Sequence, residues 1–244
     1  MFNCDYSDQS IIQTRCANEL GGMEMKKIKI WDKIFTAFLW IYAFISLYPL
    51  IWMLFYSFKN NEEIFVSNPF GFPTVLRIEN YIKAWSQYDV PQYFTNSFIV
   101  GVATVILTIS CALLFSYATA RMRWRGSEAV RIYISLGMFI PVQAVLIPVA
   151  KIVKDMHLMG TYWSLILPYT ALNLSFATLV FYGFFKGLPF ELEEAACIDG
   201  ANIYQTFFRI IIPVVKPAIA TLVIFTFLTS WNEFLLANVL IVDA

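Results

Sequence analysis

Charge is scarce in this chain. Only 14% of its 244 residues are Asp, Glu, Lys or Arg, against 59% hydrophobic residues, and the formal net charge is zero. A water-soluble core of this size cannot hide so much apolar surface. Histidine is nearly missing: His157 is the only one, and a single imidazole cannot build a metal site. The four cysteines, Cys4, Cys16, Cys111 and Cys197, have neither metal-site nor disulfide-framework spacing and read as buried or incidental thiols. No G-x-x-x-x-G-K-[ST] phosphate loop occurs. No constellation of His, Cys and carboxylates converges within the apolar stretches, which excludes a membrane-embedded enzyme of the usual kinds. Residues 1–25 are polar and lack an apolar stretch preceded by basic residues, so they are no signal peptide.

What the chain has is long apolar runs. Five are long enough to cross a bilayer as helices, roughly 34–58, 96–120, 132–150, 162–185 and 217–241. They are continuously apolar and show no strand-like alternation, which favours an all-α polytopic membrane helix bundle over a β-barrel. Eleven basic residues fall on one side of this arrangement: Lys26, Lys27, Lys29, Lys33, Arg121, Arg123, Arg125, Arg131, Lys186, Arg209 and Lys216. Five fall on the other, Lys59, Arg77, Lys83, Lys151 and Lys154. The richer side is expected to be cytoplasmic, with the amino terminus inside. Residues 1–25 read as a non-native or disordered extension, with translation able to begin at Met23 or Met25, ahead of a transmembrane domain over 26–244.

Between the first two spans, 59–95 carries Asn68-Pro69-Phe70-Gly71-Phe72-Pro73, which forbids a long helix there. Tyr81, Ile82, Trp85 and Tyr88 then fall at helical spacing, either for packing on the bundle or for an external partner. Span two alternates Ser110, Ala112, Ser116, Ala118 and Ala120 with larger residues, which permits close helix approach. Span three contains Pro141, Gln143 and Pro148 and must bend; Gln143 is a candidate for the translocation pathway, with a purely structural kink as the alternative. Span five holds Asn232 and Glu233 beside Trp231. A carboxylate at that depth is either functional or an interfacial anchor.

The stretch 186–216 reads as helix, turn and helix. Pro189 suits a first turn, Glu191, Glu193 and Glu194 suit the positive end of a helix dipole, and Asp199-Gly200 supplies a terminator free to adopt positive φ. Ala195 and Ala196 leave one surface with little bulk, and Pro213 limits the second helix.

Glu194-Ala195-Ala196, Asp199-Gly200-Ala201, Ile210 and Pro213 together resemble the EAA loop of permeases in ATP-binding-cassette importers. The resemblance extends through Asn80-Tyr81, Asn96-Ser97, the Arg121–Gly126 stretch, Ile140-Pro141, Ile147-Pro148, Tyr162-Trp163 and Trp231-Asn232-Glu233-Phe234, from about residue 34 to 242. It points to the carbohydrate-uptake branch, of the maltose-transporter G-protein kind. The resemblance implies the type I importer permease fold, with five spans here and a sixth missing beyond a truncated carboxyl terminus. It implies a cytoplasmic coupling loop over 186–216 in which Glu194, Ala195, Ala196, Asp199, Gly200 and Ala201 meet an ATPase. It further implies a bacterial plasma-membrane location, a second homologous permease, two ATPase subunits that use ATP and Mg, an extracytoplasmic solute-binding protein and a sugar substrate. No cofactor is expected on this chain, and no nucleic acid. A self-contained secondary transporter, or an importer of a non-sugar solute, remains the alternative; the former should show paired broken helices in two inverted halves.

Overall fold

The computed structural model describes the backbone of residues 7–122 and 124–241 and the side chains from residue 30 onward in that range. Cys4, Cys16, Lys26, Lys27, Lys29, Arg123 and residues 242–244 therefore lie outside the described side chains. Every regular element among the described residues is helical, as the unbroken apolar runs require. The chain divides into two compact units, Met1–Tyr88 and Asp89–Ala244.

The first unit contains α1 (Ser7–Ser57) and α2 (Glu79–Gln87). The stretch Ile30–Ser57 of α1 is apolar enough to cross a bilayer, and the helix begins within the region that composition set aside as an extension. Between α1 and α2, after a short π-helical turn (Glu63–Ser67), the chain is held by polar side chains, since Pro69, Gly71 and Pro73 prevent a continued helix. Lys59 is buried and donates from Nζ to the carbonyls of Asn68 and Gly71, 2.7 Å each. Asn80 Nδ2 donates to the carbonyls of Ser57 and Lys59, satisfying the end of α1. Glu63, also buried, accepts the Thr74 N–H on Oε1 at 2.6 Å.

That Thr74 N–H holds the Glu63 carboxyl below its ordinary value, against the opposing effect of burial, with Lys59 helping. A depressed native value means that the unfolded segment binds more protons. The contribution is fully present above the ordinary carboxylate range and is lost as pH falls through the native value. The protection factor of the Thr74 amide, referred to the intrinsic exchange rate at each pH, should therefore fall as the medium is acidified below the ordinary carboxylate range, and Glu63→Gln should lower that protection already at neutral pH. Equal protection in both proteins at neutral pH would remove the assigned role.

The second unit is built on α3 (Val90–Arg121) and α6 (Trp163–Gly187), both long and apolar enough to span a membrane. Thr104, Thr108, Ala112, Ser116 and Ala120 recur every fourth residue on α3, and all are buried. This spacing draws a stripe of small side chains along one helix face, so two backbones can approach without lipid between them. Ala177, Thr178, Phe181 and Phe185 of α6 are buried as well, and Ser116 Oγ donates to the Thr178 carbonyl at 3.0 Å. The expected packing role holds for Ala112, Ser116 and Ala120. Ser110 is exposed and Ala118 half-buried. Cys111 and Cys197 are both exposed, which corrects the buried reading of these thiols.

Two expected spans are not continuous. The third is α4 (Ser127–Leu136), a short 3-10 turn (Gly137–Phe139) and α5 (Val142–Asp155), with a bend of 106° between the halves. The residue before a proline is driven out of the α region. Ile140 accordingly has φ −87° and ψ 112°, and Pro141 caps α5, while Pro148 is accommodated inside it. His157 follows α5 in a left-handed turn conformation.

The fifth expected span is also interrupted. Its helix, α9 (Lys216–Trp231), follows α8 (Ile203–Val214) across a 74° bend and ends ten residues before the expected 241. Asn232, Glu233 and Phe234 separate it from α10 (Leu235–Leu240). The reason lies in the side chains: Asn232 Nδ2 folds back onto the Leu228 carbonyl, and Glu233 accepts the Leu236 and Ala237 N–H groups that start α10. Between α6 and α8 lies α7 (Glu191–Ile198).

Candidate coupling surface and cavity

The segment 186–216 folds as helix, turn and helix, as its sequence predicts. Gly200 has φ +80°, in the left-handed region that costs other L-residues about 1–2 kcal/mol. A side chain added there would meet nothing within 4 Å, so the turn opens outward. The second helix starts on a reciprocal cap: Asn202 Oδ1 accepts the Gln205 N–H, and Gln205 Oε1 accepts the Asn202 N–H, both 2.9 Å. The N-x-x-Q spacing of that cap was visible in the sequence as a helix start. Phe207 and Ile211 of α8 are then buried in the cluster that contains Tyr117, Phe181 and Phe185, with the Tyr117 and Phe207 rings 4.8 Å apart. One face of the loop is thereby anchored to the bundle.

The six residues singled out in this loop do not share a surface. Glu194, Ala195, Asp199 and Gly200 are exposed, Ala201 is half-buried, and Ala196 is 2% exposed. Ala196 packs inward, so within this chain its side chain faces the bundle rather than the open side of the loop. Ala195 keeps that open side free of bulk.

Arg121 carries a role that sequence reasoning missed, having counted it for charge asymmetry and within the Arg121–Gly126 stretch without assigning it a contact. It ends α3 with its side chain 2% exposed and donates from Nη2 to the Leu188 carbonyl at 2.8 Å. Its Nε lies 3.3 Å from Glu193 Oε1, an ion pair without hydrogen-bond alignment, and its guanidinium sits 4.3 Å from the centre of the Phe190 ring. Arg121 therefore fastens the end of the longest helix in this unit to the start of α7. The signal was the position of a cation at a helix carboxyl end, where it is favoured by the dipole.

At the opposite end of α3 and α6, a cavity of about 550 Å³ opens beside the end of α9. Its lining includes Asn96, Tyr162, Trp163, Tyr169, Trp231 and Glu233. Tyr169 Oη donates to Glu233 Oε2 at 2.8 Å, and Tyr162 Oη donates to Asn96 Oδ1 at 2.9 Å. Of the three pathway candidates, the structure brings only Glu233 into this cavity. Asn232 is exposed beside it with its amide turned back on α9, and Gln143 is exposed on α5, outside the cavity lining.

A family model described as "Binding-protein-dependent transport system inner membrane component" matches residues 112–243. The diacetylchitobiose uptake system permease protein NgcG of Streptomyces coelicolor is 36% identical over 207 residues, covering 85% of this chain and 68% of that protein. The sulfoquinovosyl glycerol transport system permease protein SmoH of Agrobacterium fabrum is 35% identical, covering 79% and 67%. Among solved structures, a chain from a bacterial ABC transporter involved in the import of the acidic polysaccharide alginate shares the fold, with a TM-score of 0.77, 24% identity and coverage of 88% and 75%. The self-contained secondary transporter falls away with the family match. The chain belongs to the family of binding-protein-dependent transport system inner membrane components, and is a multi-pass inner-membrane permease subunit of an ABC importer.

Proposed function

We propose that this chain forms part of the path by which a sugar crosses the membrane, and that α7, the Gly200 turn and α8 couple that path to a separate ATPase. The observation that carries this reading is the two-sided loop. Its inner side is locked to the bundle through Ala196, Phe207, Ile211 and Arg121, and its outer side presents Glu194, Ala195 and Asp199 around an open left-handed turn. A helix held rigidly on one side and bare on the other transmits displacement rather than absorbing it. A sugar as cargo is supported by the named substrates of the similar permeases.

ATP and Mg are used by the partner in this reading, because the chain has no phosphate loop. The assembly comprises a second homologous permease, two ATPase subunits and an extracytoplasmic solute-binding protein. The amino terminus and 186–216 lie in the cytoplasm, consistent with the eleven basic residues on that side.

Cross-linking tests the docking face. In a cysteine-free background of the assembled importer, Ala195→Cys is expected to cross-link to the ATPase through a short bifunctional reagent. Ala196→Cys, whose position is buried within the chain itself, is expected not to. Cross-linking at position 196 with none at 195 would reverse the assignment of faces and sink the reading.

A further inference from the structure

The cavity at the far end of α3 and α6 contains a carboxylate and no cation. Among the described residues, none of those lining it is Lys, Arg or His, and Glu233 is the only charged one. Every polar contact that Glu233 makes is one in which it accepts: from Tyr169 Oη, from the Leu236 N–H and from the Ala237 N–H. Nothing in the lining would neutralise a second negative charge brought beside it.

The remaining chemistry suits a neutral sugar ring. Ser230 is 7% exposed, lines the cavity, and has a buried Oγ without a hydrogen-bond partner. A buried hydroxyl left unpaired is costly, and rotation of the Ser230 side chain toward the cavity would let a ligand hydroxyl or amide satisfy it. Asn96 already accepts from Tyr162 on Oδ1, so its NH₂ group is what it has left to donate. Trp231 stacks on Phe227 at 5.5 Å and meets the edge of Phe94 at 5.2 Å, which fixes its ring, and Trp163 is half-exposed at the rim. A pyranose presents an apolar C–H face to such rings and hydroxyls at its edge to the polar groups.

We propose that this cavity is a sugar subsite of this chain, one that takes a neutral or N-acetylated ring and rejects an anionic one, with Glu233 as the discriminating residue. The proposal rests on the sugar-importer reading and adds a binding site and a charge preference to it. Rejection arises from a repulsive element built into the wall, which separates a uronate or sulfonate from a neutral ring of the same size. A merely structural Glu233, serving only as the cap of α10, would alter stability on substitution and leave selectivity untouched.

The test is direct binding to the assembled importer in lipid nanodiscs without its solute-binding protein, read by the fluorescence of Trp231, with Trp231→Phe as the control for its signal. Maltose and diacetylchitobiose serve as neutral probes, sulfoquinovosyl glycerol and a digalacturonate as anionic ones. The wild type is expected to bind at least one neutral probe about tenfold or more tightly than either anionic one. Glu233→Gln should shrink that ratio toward one, and Ser230→Ala should weaken the neutral probe while leaving the ratio in place. Equal affinity for both classes, no saturable binding of any probe, or an unchanged ratio in Glu233→Gln overturns the subsite. Uptake into proteoliposomes, measured alongside with the solute-binding protein added, separates the two levels. Normal sugar uptake with no binding in the cavity rejects the subsite and leaves the importer reading standing, whereas failure to take up any sugar rejects that reading.

Discussion

Gly200→Val is expected to leave the permease in the membrane at near-normal abundance and to abolish transport. The glycine adopts φ +80° at a turn where an added side chain meets nothing of its own chain. Its cost to folding is thus confined to backbone strain of about 1–2 kcal/mol in an exposed turn. Its cost to docking is expected to be larger, because a branched side chain would project from the surface proposed to meet the ATPase. Membrane abundance, ATPase co-purification and sugar-stimulated hydrolysis distinguish these effects. Gly200→Asn separates them further, since asparagine tolerates the left-handed region but still adds bulk. Recovery of transport in the asparagine variant would assign the defect to strain, and continued failure would assign it to crowding. Normal transport and hydrolysis in Gly200→Val would refute coupling through this turn.

Glu193→Ala should be the most damaging single change at the base of the loop. It leaves the Arg121 guanidinium 2% exposed with only the Leu188 carbonyl and the Phe190 ring for company. Removing one partner of a buried pair costs about 3–5 kcal/mol, and the low end applies because Glu193 is itself 18% exposed. Arg121→Met removes the charge and keeps much of the volume, so it should be far milder for the bundle. It should nevertheless loosen α7 and lower coupled hydrolysis. Thermal aggregation in detergent measures the first effect and sugar-stimulated ATPase activity the second. If Glu193→Ala aggregated no earlier than Arg121→Met, the buried pair would not be what fastens the loop.

The sequence was most informative where a single physical requirement dominated. Long apolar runs made α1, α3 and α6 legible as membrane-spanning helices, and Asp199-Gly200 announced its own turn. The bend in span three was legible from its prolines, whereas the break in span five was missed because hydropathy reports how much apolar length exists, not the direction in which it runs. The 106° bend at Pro141 and the interruption at Asn232–Phe234 lie inside continuous apolar text. The different burial of Ala195 and Ala196 could not be read ahead, because two adjacent alanines look alike until their neighbours in space are known. Arg121 was counted but not located, since its partners Leu188 and Glu193 lie 67 and 72 positions away in the chain. Glu233 was legible as an unusual carboxylate, yet the cavity around it is assembled from helix ends far apart in sequence.

α3 runs for 32 residues with its only proline at the first turn, next to Asp89, so it spans about 48 Å without an internal hinge. One tip carries the arginine clasp to α7, and the other lines the cavity with Asn96 and Val100. In mechanical terms it is a lever whose fulcrum is the small-residue seam with α6, centred near Ala112. A tilt of about 10° about that seam displaces the Val90 tip, about 33 Å away, by roughly 6 Å. A nudge at the arginine clasp is geometrically enough to shift the far mouth, with no signal relayed from side chain to side chain along the way.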